Sequence, residues 1–160
     1  MTSHTADDLV AVRLLRLPVA VYAQAQEHGD ALMREFALIA QQLKEHESDH
    51  VPARLVGLVE ELNQSYAGLT AEQEKILAEA VIHGDVEIPE LVWHLPRQVG
   101  PAARHLGELM DEADAYCAEG QHLLTLATPP QAKRFRDWYL GEFIRQLDGE
   151  DPTPWPDYQG

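Results

Sequence analysis

The chain has 160 residues, enough for one domain that buries roughly two thirds of the surface its unfolded form exposes. Its hydrophobic fraction of 45% excludes global disorder. With 27 acidic against 12 basic side chains the formal charge is −15, a surface that repels phosphate backbones and anionic lipids, so neither nucleic acid nor a membrane surface is an expected partner.

The single cysteine, Cys117, rules out an internal disulfide framework. The first residues, MTSHTADDLVAVRLL, are acidic where a secretory signal is basic. Their apolar stretch is interrupted by Arg13 and Arg16, and no apolar run approaches 18 residues, so the cytoplasm is the expected location.

Residues 1–8 are polar and read as a disordered N-terminus. LVAVRLLRL at 9–17 stops at Pro18; nine residues fit a strand or a short helix, and periodicity alone does not separate the two. From 19 to 46 the spacing of Ala25, Leu32, Phe36, Ile39 and Leu43 predicts an amphipathic helix, broken before Pro52. A second helix is expected over 53–67, with Leu55, Val59, Leu62 and Tyr66 as its stripe and Gly68 as its stop. Thr70 opens a third, with Gln73 placed to complete a capping box and Gly84 to end it. Residues 90–95 read as a short strand closed by Pro96. Pro101 suits the first turn of a fourth helix, whose face is Val99, Ala103, Leu106, Met110, Ala113 and Cys117, running to about Ala118. Thr128-Pro129-Pro130-Gln131 starts the last helix, which runs to about Leu147. The remainder, 149–160, is a proline-rich tail.

The resulting fold class is mainly α: a bundle of about five helices in a single domain over 9–148, with two candidate short strands near 10–17 and 90–95. An extended segment ending in Leu-Pro leads into a long helix twice, at Leu17-Pro18 and Leu95-Pro96, and further helices follow each time. Two strands placed so could pair and brace the bundle. Residue identity between the halves is poor, so coincidence is the plainer reading.

His46-Glu47-Ser48-Asp49-His50 satisfies H-E-x-x-H, the spacing that sets two imidazoles one turn apart for zinc with a glutamate as base. Against it, Pro52 steers Val51 out of helix, Asp49 adds a charge inside the motif, and Ala53 and Val56 stand where the extended pattern has glycine and histidine. A solvated polar helix end is the plainer reading, and no metal or other cofactor is expected. His28, His83, His94, His105 and His122 have no second ligand at a recognisable spacing; His105 and Cys117 could share a helix face without closing a site. Cys117 sits on an apolar stripe near Asp111, Asp114 and Glu119, a setting for packing rather than nucleophilic attack. Glycine-rich nucleotide loops and a G-x-S-x-G elbow are absent from the sequence.

The last helix, QAKRFRDWYLGEFIRQL, is wider in its apolar face than a surface helix needs. It carries Phe135, Trp138, Tyr139 and Phe143 together with Lys133, Arg134, Arg136 and Arg145. Aromatic rings interleaved with arginine make binding hot spots; the alternative is a central bundle helix. Phe135, Arg136, Trp138, Tyr139, Phe143 and the tail Trp155 are therefore the expected partner-binding residues, and Trp155 either folds back or docks on a partner. Surplus apolar surface of this kind also fits a homodimer.

LMREFALIA (32–40), LGELMDEADAYC (106–117), LLTLATPP (123–130) and RDWYLGEFIRQ (136–146), with Pro152–Trp155, resemble small helical regions of bacterial stress-signalling systems. Such regions lie beside or fused to anti-sigma-type kinases and PP2C-type phosphatases. The likeness spans most of the chain, but none of these pieces is a chemical motif, and both the ATP-binding lid and the metal-phosphatase aspartates are missing. It implies an accessory or adaptor role with a regulatory kinase or phosphatase as partner. The expected function is thus a non-catalytic protein-interaction module in bacterial regulation. The alternatives are a metal-dependent hydrolase at His46, Glu47 and His50, and a small-molecule sensor using space between the helices.

Overall fold

The structure, a computed structural model, describes residues 9–42, 50–119, 125 and 127–159. Two strands, β1 (Leu9–Pro18) and β2 (Glu87–Pro96), form an antiparallel ribbon. Four helices pack on it: α1 (Val19–Gln42), α2 (Val51–His83), α3 (Val99–Glu119) and α4 (Pro130–Leu147). The class is mainly α with two short strands, and both candidate segments are strands. The second is longer than its expected 90–95 because Glu87 and Ile88 also pair with β1.

The ribbon turns over near the end of β1 and the start of β2. Val12 and Leu14 on β1 and Leu91, Trp93 and Leu95 on β2 point into the core at alternate positions. Arg16 then adopts a left-handed φ of 57°, opposite the stretch holding Pro89, which has no N–H to give to a ladder. Beyond it the inward positions shift by one residue, to Leu17 and Ile88.

Glutamines clamp both strands. Gln146 on α4 accepts from the Arg13 N–H at 2.8 Å and donates to the Arg13 carbonyl at 2.8 Å, and Gln73 on α2 donates to the Val92 carbonyl at 2.8 Å. Arg13 and Val92 are partners in the register. The helix contacts follow the same exchange of halves: α1 with α2 and α3 with α4, α1 with α4 and α2 with α3, β1 on α4 and β2 on α2. A β-α-α unit is therefore repeated, and its two copies pair through their strands.

Helix α2 corrects the expectation of two helices. It runs unbroken through Gly68 for 33 residues, which leaves four α-helices among the described residues rather than about five. The Thr70 hydroxyl donates back to the Tyr66 carbonyl at 3.4 Å instead of capping a new start, and Gln73 is committed to β2. A helical glycine costs only about 1 kcal/mol, which the strand clamp and packing at both ends offset. Its true stop is Gly84, left-handed at φ 71°, where the Gly84 and Asp85 N–H groups cap Val81 and Ala80. Thr128 does not cap α4 either: its N–H and hydroxyl both donate to Asp114 on α3. Residues 1–8 and the end of the first predicted helix, 43–46, lie outside the described residues.

Candidate functional site

Most of the aromatic face expected to dock a partner is covered within the chain. Trp138 is 0% exposed, Phe135 4% and Phe143 6%. Trp93 from β2 meets Phe143 edge-on at 5.0 Å and Tyr139 at 6.0 Å. The tail supplies the rest of the cover. Trp155 packs against Trp138 at 5.6 Å and Phe135 at 5.9 Å, Arg134 lies over Trp155 and Tyr158, and the Trp138 indole donates to the Thr153 carbonyl at 2.8 Å. Glu142, fully buried, accepts from Thr153 N–H, Gln146 and Arg145, tying the tail to α4. Trp155 therefore folds back. The surplus apolar surface that favoured a second copy is covered by β2 and by residues 149–159.

Arg136, the remaining member of that set, serves a different purpose. Its Nη2 donates to Asp111 at 2.8 Å and to Asp114 at 2.9 Å, and its Nη1 donates to Thr128 at 3.2 Å. Burial alone would raise the Asp114 carboxyl, but the hydrogen bonds from Thr128 and Arg136 outweigh it and hold the group below its ordinary pKa. The Nε of Arg136 is buried and has no hydrogen-bond partner among the described residues.

The H-E-x-x-H stretch does not continue as helix at its second histidine. His50 is extended (φ −71°, ψ 157°) and precedes α2, and its Nδ1 accepts from the Ala53 N–H at 3.2 Å, the role of a cap. An imidazole so used does not stand one turn along a helix from another ligand. His46 and Glu47 lie outside the described residues. Among the described residues no group of three or more His, Cys, Asp and Glu is placed to hold a metal ion. Burial, with Asp114 and Glu35 nearby, pushes the Cys117 thiol up to about 11, so it is protonated at neutral pH.

What the helices leave between them is a gap open to solvent on one side. Buried apolar residues form two separate clusters. One joins the ribbon, α4 and the end of α2; the other joins Leu32, Phe36, Leu55, Leu109, Ala113 and Cys117 at the far end. The buried residues of α2 fall into the same two groups, Pro52 with Leu55 and Leu77 with Ala80. Between them lies a cavity of 780 Å³ walled by all four helices. Tyr22 and Met33 come from α1, Val59 and Glu74 from α2, Leu106 and Met110 from α3, and Phe135, Arg136, Tyr139 and Leu140 from α4. Leu106 and Met110, read from the sequence as core stripe, are half-buried lining. The mouth passes the exposed Gln26, Asp30, Ala67 and Glu74, and a hollow of 190 Å³ continues past Glu74 and Tyr139 towards Trp93.

The wall is polar at its mouth and apolar within. Burial, Glu74 and Asp30 raise the Tyr22 hydroxyl above its usual pKa, and burial, Tyr22 and Glu74 do the same more strongly for Tyr139. Both phenols are neutral at pH 7 and lie in a field set by carboxylates. No sequence motif marked this site, because its residues are spread over four helices and none is chemically unusual.

Comparison with protein-family models, characterised proteins and solved structures finds no match to this chain. Among the described residues no helix is long and apolar enough to cross a membrane.

Proposed function

We propose that this chain is a non-catalytic sensor module that binds a small organic molecule in the cavity between its helices. The observation that carries the reading is the 780 Å³ gap between two well-packed clusters. Binding pockets span about 300–1,000 Å³ and combine apolar walls with a few polar groups, the composition found here. Every helix contributes to the wall, so an occupant would bias how all four sit together. Sequence resemblance supplies the setting, a regulatory accessory module whose state is read by a kinase or phosphatase. The capping role of His50 and the protonated Cys117 thiol support a role without catalysis.

Thermal unfolding across a fragment panel tests the reading, with Ala67→Trp as a variant that fills the mouth. A fragment at a hundred times its dissociation constant adds about 2.7 kcal/mol of stability. The expected result is one or more stabilising fragments whose effect disappears in folded Ala67→Trp protein. Stabilisation that survives the blocked mouth, or none across the panel, overturns it.

A second reading, docking of a partner protein, is favoured by one surface feature. Ile82 and Val86 are 81% and 87% exposed beside the half-covered Val81, at the corner between α2 and β2. Ile82→Glu with Val86→Glu would then abolish co-purification of the partner while leaving the unfolding curve unchanged; equal recovery counts against it.

A further inference from the structure

The cavity's charge and its rings narrow what it takes. Titratable groups on its wall are Tyr22, His28, Asp30, Glu74, Arg136 and Tyr139. Arg136, the wall's arginine, already faces two carboxylates, Asp111 and Asp114. Asp30 and Glu74 stand at the mouth on α1 and α2, and neither is in an ion pair with a lysine or arginine among the described residues. Behind them Tyr22, Phe135 and Tyr139 form a continuous ring wall, with Tyr22 and Phe135 centroids 6.1 Å apart and Phe135 and Tyr139 5.7 Å apart. Ring faces attract cations, and a carboxylate beside them adds to that attraction. The formal charge of −15 on the chain steers cations towards such a mouth.

We infer that the cavity binds an amphiphilic organic cation, its ammonium at the mouth between Glu74 and the rings of Tyr22 and Tyr139 and its apolar body against Met33, Leu106 and Met110. This inference rests on the sensor reading and specifies its ligand class. The arrangement keeps the charge near water, where desolvation is cheap, and buries only carbon. An anionic ligand would place its charge against Asp30 and Glu74. A neutral one would gain at most a hydrogen bond from them, without the charge attraction.

Isothermal titration with three probes of matched body separates these cases: phenylbutylamine, phenylbutanol and phenylpentanoate. The amine should bind about tenfold more tightly than the alcohol, the combined scale of one exposed ion pair and one cation–π contact, with the carboxylate weakest. Glu74→Gln, at an exposed position and so safe for folding, should weaken the amine roughly three- to fivefold and the alcohol by clearly less. If alcohol and amine bind alike, or Glu74→Gln leaves the preference intact, the cation inference fails and the cavity reading stands. If no probe binds at millimolar concentration, both fail.

Discussion

Helix α4 buries seven of its 18 residues, spread along its length, whereas α2, with 33 residues, buries four, two near each end. The two helices face each other across the bundle. The first is covered by ribbon, tail and neighbouring helices along most of its length, with Arg136, Tyr139 and Leu140 left to the cavity wall. The middle of the second stands against a cavity. Apolar periodicity therefore has two meanings in this protein: over most of α4 it marks close packing, and on the middle of α2 and at Leu106 and Met110 of α3 it marks a wall. Hydrophobic burial stabilises only where atoms meet atoms, so the bundle is held at its two ends and left open at its waist.

Substitutions can break that contrast directly. Trp138→Ala removes a fully buried ring and the indole bond to Thr153, and should cost about 3–5 kcal/mol in urea unfolding. A cost under 1 kcal/mol, well below that range, would mean the tail and α4 are not joined as described. On α2, Leu77→Ala at the packed end should cost about 2–5 kcal/mol, and Leu62→Ala beside the hollow that adjoins the gap less than about 1 kcal/mol. Equal costs would close the gap.

Arg136→Met should cost about 1–3 kcal/mol, since it strips Asp114 of a charged partner. The effect carries a pH signature. Because the folded Asp114 pKa is depressed, its contribution is present above the ordinary carboxyl pKa and is lost as pH falls through the depressed value. Wild-type stability should therefore drop more steeply than that of Arg136→Met below about pH 4; parallel curves would contradict the pairing.

The smallest effect sharpens the description of α2. Gly68 has helical neighbours on both sides and open space where a Cβ would project. Gly68→Ala should add about 0.5–1 kcal/mol if the helix is continuous there. Destabilisation would point to a left-handed stop at Gly68 and two separate helices.

Much of this architecture was legible locally. Pro18, Pro96, Pro101 and Gly84 mark element ends because each has a fixed backbone consequence in its own neighbourhood. Gly68 and Thr70 misled because the contacts that hold α2 together there are distant: Gln73 reaches β2. The width of the apolar face on α4 was equally plain. What covers it was not, since Trp93 lies over forty residues away in sequence and Trp155 sits in a tail that reads as mobile. The cavity left no local sign at all. A missing side-chain volume has no residue to announce it, and Leu106 and Met110 look the same in a packed core as in a wall.

The most direct test of the open waist uses the methionine methyls. The chain has three methionines, and Met33 and Met110 both line the cavity. With methyl-labelled methionine, titration of phenylbutylamine or phenylbutanol should shift both resonances together along one saturable curve, and Ala67→Trp should abolish the shift. If the Met33 and Met110 signals stay fixed while either compound is present at millimolar concentration, the waist is closed and the binding role proposed for it is wrong.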